Sequence, residues 1–225
     1  MLEVLYKDEY LIAINKPHGL LVHQSSIARD AKEFAIQLLR DQIEQKVYLA
    51  HRLDRKTSGV LLFALTQEMN VKLQEMFMNK EMSKSYRAIV RGFTPEELCI
   101  DYPLKREDGK VQDAISSIKR LKTTEIDLPF GQHSTSRYSL IEIKPETGRF
   151  HQIRKHLAHI RHPIVGDRPH GCNKQNKLFL EKFNMSRMML HAEELRFIHP
   201  ISQEEIRIIA DYSTEFKRMK MELGL

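Results

Sequence analysis

The apolar positions of the chain fall into two periodicities. Leu2 to Ile14 reads as extended segments around the polar turn Lys7-Asp8-Glu9, and Lys16-Pro17-His18-Gly19 marks a further turn before an extended stretch from Leu20 to His23. Between Ala31 and Gln45 the residues Ala31, Phe34, Ala35, Leu38 and Leu39 recur at helical spacing and predict one face packed on a core. The run from Val60 to Leu65, bounded by Gly59 and by polar residues, is short enough to predict a buried strand. Gln67 to Lys80 places Met69, Leu73, Met76 and Phe77 at helical spacing, a stripe suited to core packing. Tyr86 to Val90 predicts another strand, ended by Gly92 and Pro95.

The pattern weakens from Leu104 to Ser136. Asp108-Gly109 signals a turn, 114–121 reads as a strand, and Leu128-Pro129-Phe130-Gly131 interrupts whatever follows. Tyr138 to Ile143 is again extended, Pro145 to Gly148 turns, and His151 to Ile160 has helical character until Pro163 stops it. With no repeat, low-complexity tract or linker in view, one continuous α+β domain spanning 1–225, with a strand-rich core, is the expectation.

Composition narrows the class. The 225 residues are 41% hydrophobic and 29% charged, as in an ordinary globular protein, and no apolar run reaches the length that spans a bilayer. The start MLEVLYKDEYLIAINKP carries acids where a signal peptide has a basic start and an apolar centre, so a cytoplasmic location is expected. Cys99 and Cys172, the only cysteines, are far apart and lack metal-ligand spacing, which predicts reduced thiols. The formal charge is +6, and the segment from Arg137 to Arg168 alone holds seven lysines and arginines against three acids. A solvated basic face would read the same way, but the concentration favours an anionic partner.

Three stretches hold reactive side chains beside a rigid strand or helix start: HRLDRKTSG at 51–59, KSYRAIVRG at 84–92 and ETGRFHQIRKH at 146–156. Alone, the first is a surface charge cluster with Asp54 among Arg52, Arg55 and Lys56. Alone, Tyr86 would be a packed strand tyrosine and Arg154 a helix-surface arginine. No second acid stands near Asp54, so a two-carboxylate glycoside hydrolase is not indicated. His151, His156, His159 and His162 cluster without the acid of H-E-x-x-H, and no metal is expected.

Together with KPHGLLVH at 16–23 and HPIVGD at 162–167, these motifs resemble those of the RluA-type pseudouridine synthases, in the family's order and over most of the chain. The resemblance implies the pseudouridine synthase fold, with a largely antiparallel mixed sheet flanked by helices and loops. It implies isomerisation of uridine in RNA, the base being detached at N1 and rejoined through C5, with no cofactor. Asp54 is then the catalytic carboxylate. Attack at C1′, addition at C6 and removal of the 2′ proton all suit one Asp. Arg154 is its ion-pair partner, offsetting the rise in pKa that burial would bring. Tyr86 lies against the target base, where one side chain can stack and carry a polar hydroxyl.

Arg52 is assigned to RNA, holding phosphate or filling the space a flipped base leaves. Arg55, Lys16, Arg149 and His151 are expected among the RNA-binding residues. Thr57, Ser58 and Gly59 read as turn scaffolding. The strand region starts at residue 2, so no S4 RNA-binding domain is expected, and the protein is expected to act as a monomer without a protein partner. The stretch 156–176 is similar to the family's tRNA-specific TruC branch, which modifies uridine 65, and Arg161 stands where most of the family has glycine before His-Pro. Another RNA for the same reaction, or a noncatalytic RNA-binding module, are the alternatives. The second needs neither the acid nor the tyrosine.

Overall fold

The structure is a computed structural model that describes residues 1–23 and 33–225. In chain order the first elements are β1 (Glu3–Lys7), β2 (Leu11–Lys16), α1 (Ala35–Ile43), β3 (Tyr48–Leu49), β4 (Ser58–Ala64), α2 (Gln67–Met78) and β5 (Ser83–Arg91). There follow β6 (Glu97–Asp101), β7 (Leu104–Lys105), β8 (Val111–Gln112), β9 (Ile115–Ile126), β10 (Ser136–Pro145) and α3 (Gln152–His159). The chain ends through α4 (Asn173–Phe183), β11 (Leu190–Ile198), β12 (Glu205–Ile209) and α5 (Thr214–Glu222). It divides into two compact units, Met1–Lys84 with Ala192–Asp211, and Ser85–His191 with Tyr212–Leu225.

In the first unit β4 is the structural centre. All seven of its residues are buried, as in a strand covered on both faces. It pairs antiparallel with β2, Ala13 opposite Leu62, and β2 pairs with β1, Val4 opposite Ile14. The short β3 also pairs with β4, and β11 pairs with β12, Leu195 opposite Ile208. Helix α2 starts at Thr66, whose hydroxyl accepts from the Met69 amide, a cap that satisfies one of the first orphan N–H groups. Its Met69, Leu73 and Met76 join Leu11, Leu62 and Phe197 in one apolar cluster.

In the second unit the strand order is β5-β10-β9-β6, every neighbour antiparallel. Ala88 faces Ile141 across the first pair, and β9 bulges at Leu121, across from Leu140 and Ile141 of β10. The core gathers Ile89, Ile141, Leu157, Phe179 and Met219 around Tyr138, whose buried hydroxyl accepts from Gln175 Nε2 at 3.0 Å. Such a ring can be fully buried because its one polar atom is satisfied.

The expected α+β class with a largely antiparallel sheet is the observed one. Several boundaries moved. The extended reading of Leu20 to His23 reduces to one bridge, Leu21 with Phe34. The helix expected from Ala31 runs as α1 from Ala35, with Ala31 itself outside the described residues. The strand expected at 114–121 continues to Ile126 as β9, and β6 was not anticipated. Helix α3 begins after His151, whose φ of 56° puts it in the left-handed region.

Candidate active site

The loop carrying Asp54 is held from several sides within the first unit. The Asp54 carbonyl accepts from the Thr57 amide at 3.0 Å, closing a turn over Arg55 and Lys56. Leu53 is buried beneath it and Thr57 and Ser58 behind it, while Asp54 is half-buried and Arg52 and Arg55 are exposed. Gly59 follows at φ 110°, with the Ala192 carbonyl oxygen 2.1 Å from where a Cβ would sit. Only glycine fits this close approach of two backbones.

His51 fixes the loop's entry. Its Nε2 accepts from the Leu62 amide at 3.0 Å, and its ring lies 4.7 Å from that of Phe77. Burial, with a smaller contribution from the Lys84 charge, lowers its pKa to about 3, so the ring is the neutral tautomer with Nδ1 protonated.

Lys16 was expected at the RNA surface and is found elsewhere. Its side chain is 0% exposed, and its ammonium donates to the carbonyls of Pro17, Leu20 and Arg55 at 3.0, 2.9 and 3.2 Å. A buried ammonium needs this full set of acceptors, and the 17–20 turn supplies two of them. Burial lowers its pKa to about 7, against the opposing charge of Asp54. Lys16 therefore ties the 17–20 turn to the Asp54 loop through three backbone carbonyls. Arg55 completes the tie, its carbonyl accepting from the Gly19 amide at 2.8 Å and its Nε donating to the Gly19 carbonyl at 3.0 Å.

Tyr86 and Arg154 belong to the second unit. Tyr86 stands on β5 opposite Ile143 of β10, half-buried against the core of that unit. Its strand neighbours Ser85 and Arg87 point the other way, both bonding the Glu142 carboxylate, at 3.0 and 2.9 Å.

Arg154 is 4% exposed on α3 and makes a bidentate pair with Asp167, Nε to Oδ2 and Nη2 to Oδ1, both at 2.8 Å. Asp167 is 1% exposed, and its backbone carbonyl accepts from Asn176 Nδ2 at 2.7 Å. These bonds use Nε and Nη2 of a five-donor group. Asp167 ends the HPIVGD motif. That motif was noticed in the sequence without a role for its acid, because no local spacing links 154 to 167.

The remaining expected residues sit around the start of α3. Arg149 is exposed, with Nε donating to the Asp113 carbonyl at 3.0 Å. Gln152, which no sequence pattern singles out, is the hub of this turn. Its Oε1 accepts from the Thr147 hydroxyl and the Arg149 amide, and its Nε2 donates to the Ile115 carbonyl and Ser116 Oγ. His151 Nδ1 lies 2.9 Å from His170 Nε2. No group of three or more His, Cys, Asp or Glu able to hold a metal occurs among the described residues.

The RNA pseudouridylate synthase family model matches residues 10–159. A tRNA pseudouridine synthase C from Vibrio vulnificus is 49% identical over 230 residues, spanning 97% of this chain and 94% of that protein. The protein of the same name from Haemophilus influenzae is 43% identical over 235 residues, spanning 100% of this chain and 98% of that protein. The solved structure of human RNA pseudouridylate synthase domain containing 4 matches with a TM-score of 0.75 over 99% of this chain and 93% of that chain, at 24% identity. Sheet, helices and match together define a pseudouridine synthase fold. The chain belongs to the RNA pseudouridylate synthase family.

Proposed function

We propose that this pseudouridine synthase isomerises a uridine of tRNA, uridine 65 being the target, with Asp54 as the catalytic carboxylate. The observation that carries the assignment is the Asp54 loop itself. A half-buried acid at the head of a closed turn is anchored by the buried Lys16 ammonium, by the neutral His51 and by a glycine that no other residue can replace. That investment in orientation suits a reacting group and exceeds what a surface charge needs. Names of the relatives at 43 to 49% identity support tRNA as the substrate class.

By the resemblance, Tyr86 is assigned the aromatic ring for the uracil and Arg154 the cation partner of the acid. Cleaving the N1 glycosidic bond while retaining the base asks for a charged, placed carboxylate. The exposed Arg52, Arg55 and Arg149 supply phosphate contacts.

Asp54→Asn and Asp54→Ala are expected to abolish pseudouridine formation in an unmodified tRNA transcript while leaving transcript binding within about threefold of wild type. Turnover above about 1% of wild type by either variant would remove Asp54 from the chemistry. Mapping pseudouridine in cellular RNA with and without the active gene tests the target. Loss at tRNA position 65 is the expected result, and loss confined to ribosomal RNA or to the anticodon arm would move the substrate assignment.

A further inference from the structure

The surface at the start of α3 holds an aromatic ring that the chemistry above leaves without a task. Phe150 is 51% exposed, yet it is oriented by a succession of specific contacts. Its ring lies 3.8 Å from that of His151, with 21° between the planes, a stacked pair of neighbouring residues. That stack requires the turn in the backbone which His151 makes by adopting φ 56°, a conformation that costs a residue other than glycine about 1 kcal/mol or more. His151 is in turn bonded to His170, and the His170 amide approaches Asp167 Oδ1 at 3.4 Å. The ring thus rests on a stack that ends in the buried Arg154–Asp167 pair.

Exposed aliphatic side chains such as Met78 and Met221 need no explanation beyond the apolar share of any protein surface. Phe150 also stands in basic surroundings. Lys155 Nζ is 5.6 Å from its ring centroid, and the exposed Arg149 precedes it in the chain. An exposed aromatic with a lysine near its ring and an arginine beside it in the chain offers the two parts that a nucleotide needs, a ring for the base and cations for the phosphate.

We propose that Phe150, seated on His151 and His170, is a stacking platform for an unpaired base of the substrate RNA, with Lys155 and Arg149 binding the adjoining phosphate. The proposal rests on the reading of the chain as an RNA-modifying enzyme and assigns Phe150 to binding, outside the isomerisation itself.

The chain contains no tryptophan, so Phe150→Trp introduces a single reporter at the platform. Its emission is expected to be quenched on saturation with an unmodified tRNA transcript, while a Met221→Trp control is unchanged. In kinetics with the same transcript, Phe150→Ala is expected to raise KM roughly 5- to 100-fold, the range that losing one base stack gives, with kcat within about twofold. Phe150→Tyr, which keeps the ring, is expected to restore KM. Unquenched emission at saturating transcript, an unchanged KM in Phe150→Ala, or a failure of Phe150→Tyr to restore it would overturn the platform. Failure of the tRNA reading shows separately, as wild-type protein that leaves the transcript unmodified. The stacking proposal then stands or falls by the same quenching measured with ribosomal RNA transcript.

Discussion

His51 opens the HRLD stretch, and its chemistry follows from one hydrogen bond. An imidazole that accepts from the Leu62 amide through Nε2 cannot take a proton there without losing the bond. Its folded pKa, lowered to about 3 by burial and by the Lys84 charge, lies well below the ordinary value of 6.5 that applies to the unfolded chain. The sign follows: between pH 6.5 and 3 the unfolded state binds the proton and the folded state does not, so stability present above pH 6.5 is lost as the pH falls through this window. The slope from this one group approaches about 1.4 kcal/mol per pH unit at most. Carboxylates titrate over part of the same range, so wild type should be compared with His51→Gln, which retains an acceptor but no titratable ring. Denaturant unfolding at pH 7 and pH 4.5 is expected to show a smaller loss in the variant. Equal losses would mean that His51 ionises freely in the folded protein.

At the scale of elements, the Arg154–Asp167 pair joins helix α3 to the turn that ends HPIVGD. Both partners are almost fully buried, so deleting Asp167 takes a bidentate counter-charge from a desolvated guanidinium. Asp167→Ala is expected to cost about 3–5 kcal/mol in denaturant unfolding. The double variant Asp167→Ala with Arg154→Met should recover part of that loss, since neither charge then remains. Additive losses would show that the pair acts through packing alone.

The same pair shows where sequence pattern stops being informative. Strand β4 and helix α2 were legible because an apolar run and a stripe at helical spacing are local signals. Strand β6 has one buried residue in five, so its apolar pattern carries almost nothing, and β9 outlasts its expected end because exposed polar residues such as Lys122, Thr123 and Glu125 continue the pairing. The motifs pointed to the Asp54 loop, Tyr86 and Arg154. Asp167 and Gln152 carry no local signal, because what makes them matter is tertiary: a partner thirteen positions away and a pair of acceptors drawn from β9.

Across the whole molecule, the placement of Lys16 changes how the net charge of +6 should be read. Part of the basic inventory is held inside the protein: Lys16 is buried on carbonyls, Arg154 is buried on Asp167, and the half-buried Arg87 pairs with Glu142 at 2.9 Å. Exposed cations such as Arg52, Arg55 and Arg149 are the ones available to phosphates. Each phosphate contact releases counterions, so the logarithm of RNA affinity should fall linearly with the logarithm of salt concentration, by roughly 0.7 to 0.9 per contact. Arg149→Ala is therefore expected to weaken tRNA-transcript binding and to reduce that slope by about one contact. Lys16→Met should leave the slope unchanged even where it lowers stability, because its ammonium is buried on three backbone carbonyls. Filter-binding titrations between about 50 and 200 mM salt separate these outcomes. A slope reduced by Lys16→Met, or unaffected by Arg149→Ala, would reverse the division between structural and RNA-binding cations.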